Sequence, residues 1–124
     1  ATIDVPIFSS FSRSAKTKRA QFSYEQALIS HTENTEKIRL GYQQAKSNYD
    51  FAIDNLNTLK QNLALSERIE QKNQIKFTEG IASSFELRQA QTQLYAAQQQ
   101  YLQAQLQLIQ SKASLQSILN VYNQ

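Results

Sequence analysis

Cysteine, methionine and tryptophan are absent from this 124-residue chain, proline occurs once and glycine twice. Without cysteine there is no disulfide framework and no thiolate metal site. That composition fits an oxidising compartment without requiring one. So little proline and glycine leaves few places to turn, and hence little loop. No apolar run nears the roughly 18 residues of a membrane-spanning helix, and no signal peptide opens the chain. The missing methionine includes an initiator, so the chain reads as a processed or excised portion of a longer protein. Catalytic constellations are missing as well: there is no glycine-rich phosphate loop, no Ser-His-Asp set and no Gly-x-Ser-x-Gly elbow. His31 is the only histidine and has no second ligand at i+4, whereas a metal site needs several that converge. A packed or partner-bonded imidazole is expected there. Glu33 with Glu36, and Glu67 with Glu70, share helix faces but read as solvated charge, with Glu33 spaced to pair with Lys37. The expectation is a chain that is not an enzyme and holds no cofactor or metal.

What is present is a seven-residue repeat. Residues Leu87, Ala90, Leu94, Ala97, Tyr101, Ala104, Leu108, Ser111, Leu115, Ile118 and Tyr122 alternate steps of three and four. That spacing holds one stripe against a partner helix for its whole length. An earlier segment repeats the pattern through Tyr24, Leu28, His31, Thr35, Ile38, Tyr42, Ala45, Tyr49, Ala52, Leu56, Leu59 and Leu63. Alanines stand at several positions where leucine would be usual, which lets large knobs on one helix fill spaces opposite small residues on the other. A second apolar line, Leu102, Leu106, Ile109 and Ala113, runs along the later segment. A two-stranded hairpin needs one stripe, so two stripes imply neighbours on two sides.

The charge balance is +3, with Arg13, Lys16, Lys18 and Arg19 gathered near the start. After Ser84 the charged residues are Glu86, Arg88 and Lys112. A nucleic-acid surface needs basic residues along one exposed face, which this distribution does not provide. A solvated helix start is the default reading of the cluster, and a basic ring beside a phospholipid headgroup layer is the second.

The chain divides accordingly. Residues 1–10 read as a strand end and turn, because Thr2, Ile3, Val5, Ile7 and Phe8 are β-formers and Pro6 suits no helix interior. Residues 11–77 read as one long helix, interrupted only by Gly41, which suggests a bend or a close helix contact. Residues 78–83 form a tip and residues 84–122 a returning helix. At about 1.5 Å per residue the two helices run to about 100 Å and about 60 Å. The returning helix therefore covers the first only to about Ile38, and Tyr24 to Thr35 need a partner from elsewhere. The expected fold is all-α, a long antiparallel coiled-coil hairpin behind a short strand end.

The tip combines Phe77, Glu79, Gly80, Ile81 and Ser83. Gly80 supplies the positive φ that ends a helix. Ser83 and Glu86 have capping-box spacing for the next one. A well-made turn explains both, yet it does not explain Ile81, an apolar side chain at an exposed hairpin end. These five residues are the expected partner-binding site.

Three stretches resemble the TolC-like outer membrane efflux proteins, the exit ducts of efflux pumps and type I secretion systems. Val5-Pro6-Ile7-Phe8 is similar to that family's Leu-Pro-Ile/Leu-Phe/Tyr strand end before its long helix. Lys76-Phe77-Thr78-Glu79-Gly80-Ile81-Ala82-Ser83 resembles its Arg-Tyr-x-x-Gly-x-x-Ser tip. Phe85-Glu86-Leu87-Arg88-Gln89-Ala90-Gln91-Thr92-Gln93-Leu94 resembles the stretch that follows, and order and separations agree. The resemblance covers nearly the whole chain and matches half of one repeat, closer to the second.

The resemblance implies a homotrimeric duct with a helical barrel in the periplasm and a β-barrel in the bacterial outer membrane, the latter outside this chain. It implies passive transport, gated at the tip when the hairpin tips of a periplasmic adaptor protein dock. Glu79-Gly80-Ile81 stands where the family carries a Val-Gly-Leu/Thr-like contact motif, with Glu in place of Val. Ala82 stands where some members carry a gating Arg, so no ionic lock is expected there. Two other readings fit the heptads: the coiled-coil hairpin of an adaptor (membrane fusion) protein, and a purely structural hairpin. The leading strand end and the second stripe favour the duct.

Overall fold

The computed structural model describes the backbone of residues 7–122 and the side chains of residues 13–121. Among the described residues there are two α-helices and no strand: α1 spans Ile7–Thr78 and α2 spans Ser84–Tyr122. Packing divides the chain into two units, Ala1–Leu40 and Gly41–Gln124.

The expected strand end and turn over residues 1–10 need correction in part. Ile7 to Ser10 are helical. Residues 1–6 of that expected strand end lie outside the described residues. A strand needs a ladder partner for its backbone groups, whereas a helix satisfies them internally. Proline is also tolerated around the first turn of a helix, so Pro6 does not bar a helix that begins at Ile7.

In the first unit every described residue from Arg13 to Lys37 is exposed. The line Tyr24, Leu28, His31 and Thr35 has no cover here, and Phe22 and Ile29 are bare beside it. His31, expected to be packed or partner-bonded, is exposed. The ion pair on this helix joins Arg39 to Glu36 at 3.0 Å rather than Glu33 to Lys37. Both partners are solvated, so it contributes a few tenths of a kcal/mol at the most, about the value of a helical i,i+3 pair. Helices in proteins owe most of their stability to a packed apolar face. This face is where α1 has none of its own.

The second unit is an antiparallel hairpin. Its seam follows the heptads from Ala45 onward, whereas Tyr42, on the same line, is exposed. Ala45, Ala52, Ala90, Ala97 and Ala104 are buried. Tyr49, Leu56, Leu59 and Leu63 of α1 are half-buried, as are Leu87, Leu94, Tyr101, Leu108, Leu115 and Ile118 of α2. Among the described residues every fully buried apolar residue is thus an alanine. Alanine gives up no side-chain rotamers on burial and lets two helices sit near the short end of the usual spacing of about 8–10 Å. Gln91, Gln98 and Gln105 flank the α2 stripe, half-buried, with their stems available to cover its edge.

The second apolar line lies outside the seam. Leu102, Leu106 and Ile109 are exposed on α2, and Phe51 and Leu65 are exposed on α1. An exposed apolar line on α2, with further bare apolar residues on α1, is more than solvation of a free coiled coil calls for.

Gly41 opens the second unit. A Cβ at this position would meet nothing within 4 Å, so no close helix contact demands the glycine. Of the two sequence readings of Gly41, a bend or a close helix contact, the second is corrected on that ground. Beside it, Gly41, Ala45 and Asn48 of α1 and Ser111, Ser114 and Ile118 of α2 line an open groove of about 550 Å³. Small side chains on both arms leave the seam loosely filled here.

Candidate docking tip

α1 ends in a Schellman motif. The N–H of Ile81 donates to the Lys76 carbonyl at 2.8 Å, and the N–H of Gly80 donates to the Phe77 carbonyl at 3.0 Å. These are the 6→1 and 5→2 bonds of that motif, with Gly80 in the left-handed position. Its φ is +76°, the one positive φ among the described residues. Ala82 adds a bond to the same Lys76 carbonyl at 3.1 Å, and the Thr78 hydroxyl donates to the Gln74 carbonyl at 2.9 Å. The carbonyls left over at a helix end are therefore largely answered within the turn.

α2 starts with a reciprocal capping box. The N–H of Ser83 donates to Glu86 Oε2 at 2.7 Å, while the N–H of Glu86 donates to Ser83 Oγ at 3.3 Å. The Ser83 hydroxyl also donates to the same carboxylate oxygen at 3.0 Å. The first helical bond, from Leu87 N–H to the Ser83 carbonyl, is 3.2 Å. The backbone and hydroxyl bonds from Ser83 hold the Glu86 carboxyl below its ordinary range, with the Lys76 charge adding to the effect. At neutral pH the carboxylate is thus ionised and free to accept both bonds.

The five expected tip residues fall into two groups. Gly80 and Ser83 are used in making the turn. Ile81 is 71% exposed, Phe77 is partly exposed at the last turn of α1, and Glu79 is exposed between them. Sequence reasoning left one residue out. Phe85, on the first turn of α2, is 73% exposed. Its signal was legible: it sits between the cap at Ser83 and the first seam residue, Leu87, so it has no place in the seam. Three apolar side chains, Phe77, Ile81 and Phe85, therefore stand within one rigid turn and its flanks. Glu86 is committed to the cap.

The arrangement offers a stiff, partly apolar knob at the end of a hairpin. Just behind it, Ile69 and Asn73 of α1 and Glu86, Gln89, Ala90 and Gln93 of α2 line an open crevice between the arms. A knob held by two helix caps and a close-packed seam loses little conformational freedom when it meets a partner, which is what favours tight docking on a small area. A family model described as outer membrane efflux protein matches residues 1–121. No curated protein and no solved structure matches the chain.

Proposed function

Since the chain belongs to the outer membrane efflux protein family, a family of transport channels rather than enzymes, we propose that its hairpin is a periplasmic wall element of a trimeric exit duct. Substrates pass through passively, and the tip opens when the hairpin tips of a periplasmic adaptor protein dock on it. In this reading the membrane is crossed by a barrel outside this chain; no described helix is long and apolar enough to cross it.

The observation that carries the docking role is Ile81, bare at the apex of the turn with Phe77 and Phe85 exposed on its flanks, none of which capping requires. The bare lines Leu102–Ile109 and Tyr24–Thr35 support the wall role, because each calls for a neighbouring helix. The family match also favours the duct over the adaptor hairpin, the runner-up on heptads alone.

The test uses the intact protein in its own cells. A photo-crosslinking amino acid replacing Ile81 is expected to capture a periplasmic adaptor, and Ile81→Asp is expected to lower export by about tenfold, as loss of a central apolar contact does. Assembly of the duct should be unchanged. Normal export by Ile81→Asp together with no adaptor adduct would sink the docking role.

A further inference from the structure

Asn48, Asn55 and Asn62 recur every seven residues on α1, and Gln93, Gln100 and Gln107 recur likewise on α2. Both lines flank the seam on the same side. Asn48 and Gln107 line one groove between the arms, so steps of seven in opposite directions set Asn55 level with Gln100 and Asn62 level with Gln93. One step further, Ile69 and Glu86 share the crevice behind the tip, as that register requires. Asn55 is half-buried and the other five amides are exposed. Gln89, Gln103 and Gln110 widen the same side on α2, as Gln44 and Thr58 do on α1, and all are exposed. Gln44 Nε2 donates to Asn48 Oδ1 at 3.0 Å. From Gly41 to Leu65 and from Gln89 to Ser117 no charged residue stands on this side.

The charge lies elsewhere on the hairpin. Lys46, Lys60 and Lys112 flank the seam on its opposite side, and Asp50, Asp54 and Arg88 lie further round. All six are exposed. An ordinary solvent-facing surface carries about a quarter to a third charged residues, of mixed sign. The charged side fits that description and the amide side departs from it. The bare line Leu102, Leu106 and Ile109 lies about 100° or more round α2 from the line Gln93 to Gln107. The neighbouring helix that it calls for therefore leaves the amides open to water. Phe51 and Leu65 are the large apolar members of the amide side and mark its α1 margin. Charge returns to this side beside the tip, at Lys72, Lys76 and Glu86.

We infer that the amide side faces the water-filled passage of the duct, and that the stretch of wall it covers passes solutes of either charge. The inference rests on the duct reading above and names the class of substrate that reading leaves open. Each amide offers water both a donor and an acceptor, so the side is wet without holding ions. Rings of Asp and Glu, or of Lys and Arg, are what make a pore choose by charge. The symmetry of an oligomeric duct repeats every residue of the hairpin around the passage, so a single charge on this side would become such a ring. The side carries none over about 35 Å of α1, from Gly41 to Leu65. Mixed charge on the opposite side suits contact with neighbouring chains and the solvent outside.

The test is the reversal potential of the intact protein in a planar bilayer between KCl solutions of about 0.05 M and 0.5 M, where screening still lets a ring of charge act across a passage. Gln100→Glu is expected to raise the ratio of cation to anion permeability by about twofold or more, and Gln100→Arg to lower it by a similar factor. Opposite shifts from one position separate a charge effect from a structural one. Gln107→Glu, one repeat away, should act as Gln100→Glu does. Asp50→Asn and Lys60→Gln, on the charged side, should leave the ratio unchanged. A ratio that ignores position 100 and position 107 overturns the inference, and so does one that follows Asp50→Asn and Lys60→Gln as strongly. Channels that conduct but ignore the amide side sink this assignment and leave the duct standing. A protein that conducts no ions sinks the duct reading and this assignment with it. Crosslinking at Ile81 does not depend on charge selection, so its failure leaves this result standing.

Discussion

Ala52→Leu is expected to destabilise the hairpin by about 2–3 kcal/mol, the range seen when extra methylenes are forced into a filled interior. Ala52 is 1% exposed and lies in the closest-packed part of the seam. A methyl group becomes an isobutyl group at a position 1% exposed, so the arms must separate or the side chain must leave its rotamer. Separation also loosens the neighbouring alanine layers, because a close helix approach is shared along the seam. For a domain of this size the shift corresponds to about 10 °C or more in midpoint. Circular dichroism melts at several concentrations measure it. Leu106→Gln is the comparison, since Leu106 is 60% exposed and a surface change of this kind stays within about 0.5 kcal/mol. Equal midpoints for Ala52→Leu and the parent would mean that the alanines do not set the helix spacing.

Gly80→Val carries the second large effect, and its cause is different. The position has open space, with nothing within 4 Å of a Cβ, so no clash with neighbours is involved. The penalty is in the backbone. At φ +76° a β-branched residue costs about 2 kcal/mol relative to glycine. The turn can escape by giving up its Schellman bonds, which frees Ile81 from the Lys76 carbonyl and moves the apex side chain. Gly80→Asn should cost clearly less, because asparagine visits the left-handed region. The ordering glycine, asparagine, valine in unfolding free energy, followed by the same ordering in adaptor crosslinking from position 81, is the expected result. If valine and asparagine lose the same amount, the strain is not in φ and the cap is not what orients Ile81.

Much of this was legible in the sequence because the repeat is long and unbroken. Steps of three and four over many turns leave one register in which Ala90, Ala97 and Ala104 face Ala45 and Ala52's helix, and burial follows that register. The tip was legible for a chemical reason. Glycine followed three residues later by serine, and then by glutamate at N3, has few uses other than ending one helix and starting another. What failed was local propensity. Ile7 and Phe8 favour strands, but β-propensity reflects packing on a sheet, and no sheet is offered among the described residues. Phe85 was missed because it lies just past the cap and was counted with the returning helix, 84–122. His31 sat on the seam by spacing, yet spacing says only which way a side chain faces. Whether anything covers it depends on helices that are not in this stretch of chain.

If the hairpin is built into a wall, as proposed, Leu102, Leu106 and Ile109 are bare here and covered in the assembled duct. The described segment has no cysteine of its own, which makes introduced ones unambiguous within it. Single cysteines at 102, 106 and 109, with one at the exposed tip position 79 as reference, would be labelled with a water-soluble maleimide. Labelling rates would be compared between the 124-residue chain and the intact protein in membranes. The expected result is rapid labelling at all four positions in the chain alone. In the intact protein, labelling at 102, 106 and 109 should slow by about tenfold or more against position 79. Labelling as fast in the intact protein as in the free chain, at all three positions, would contradict the wall and with it the duct.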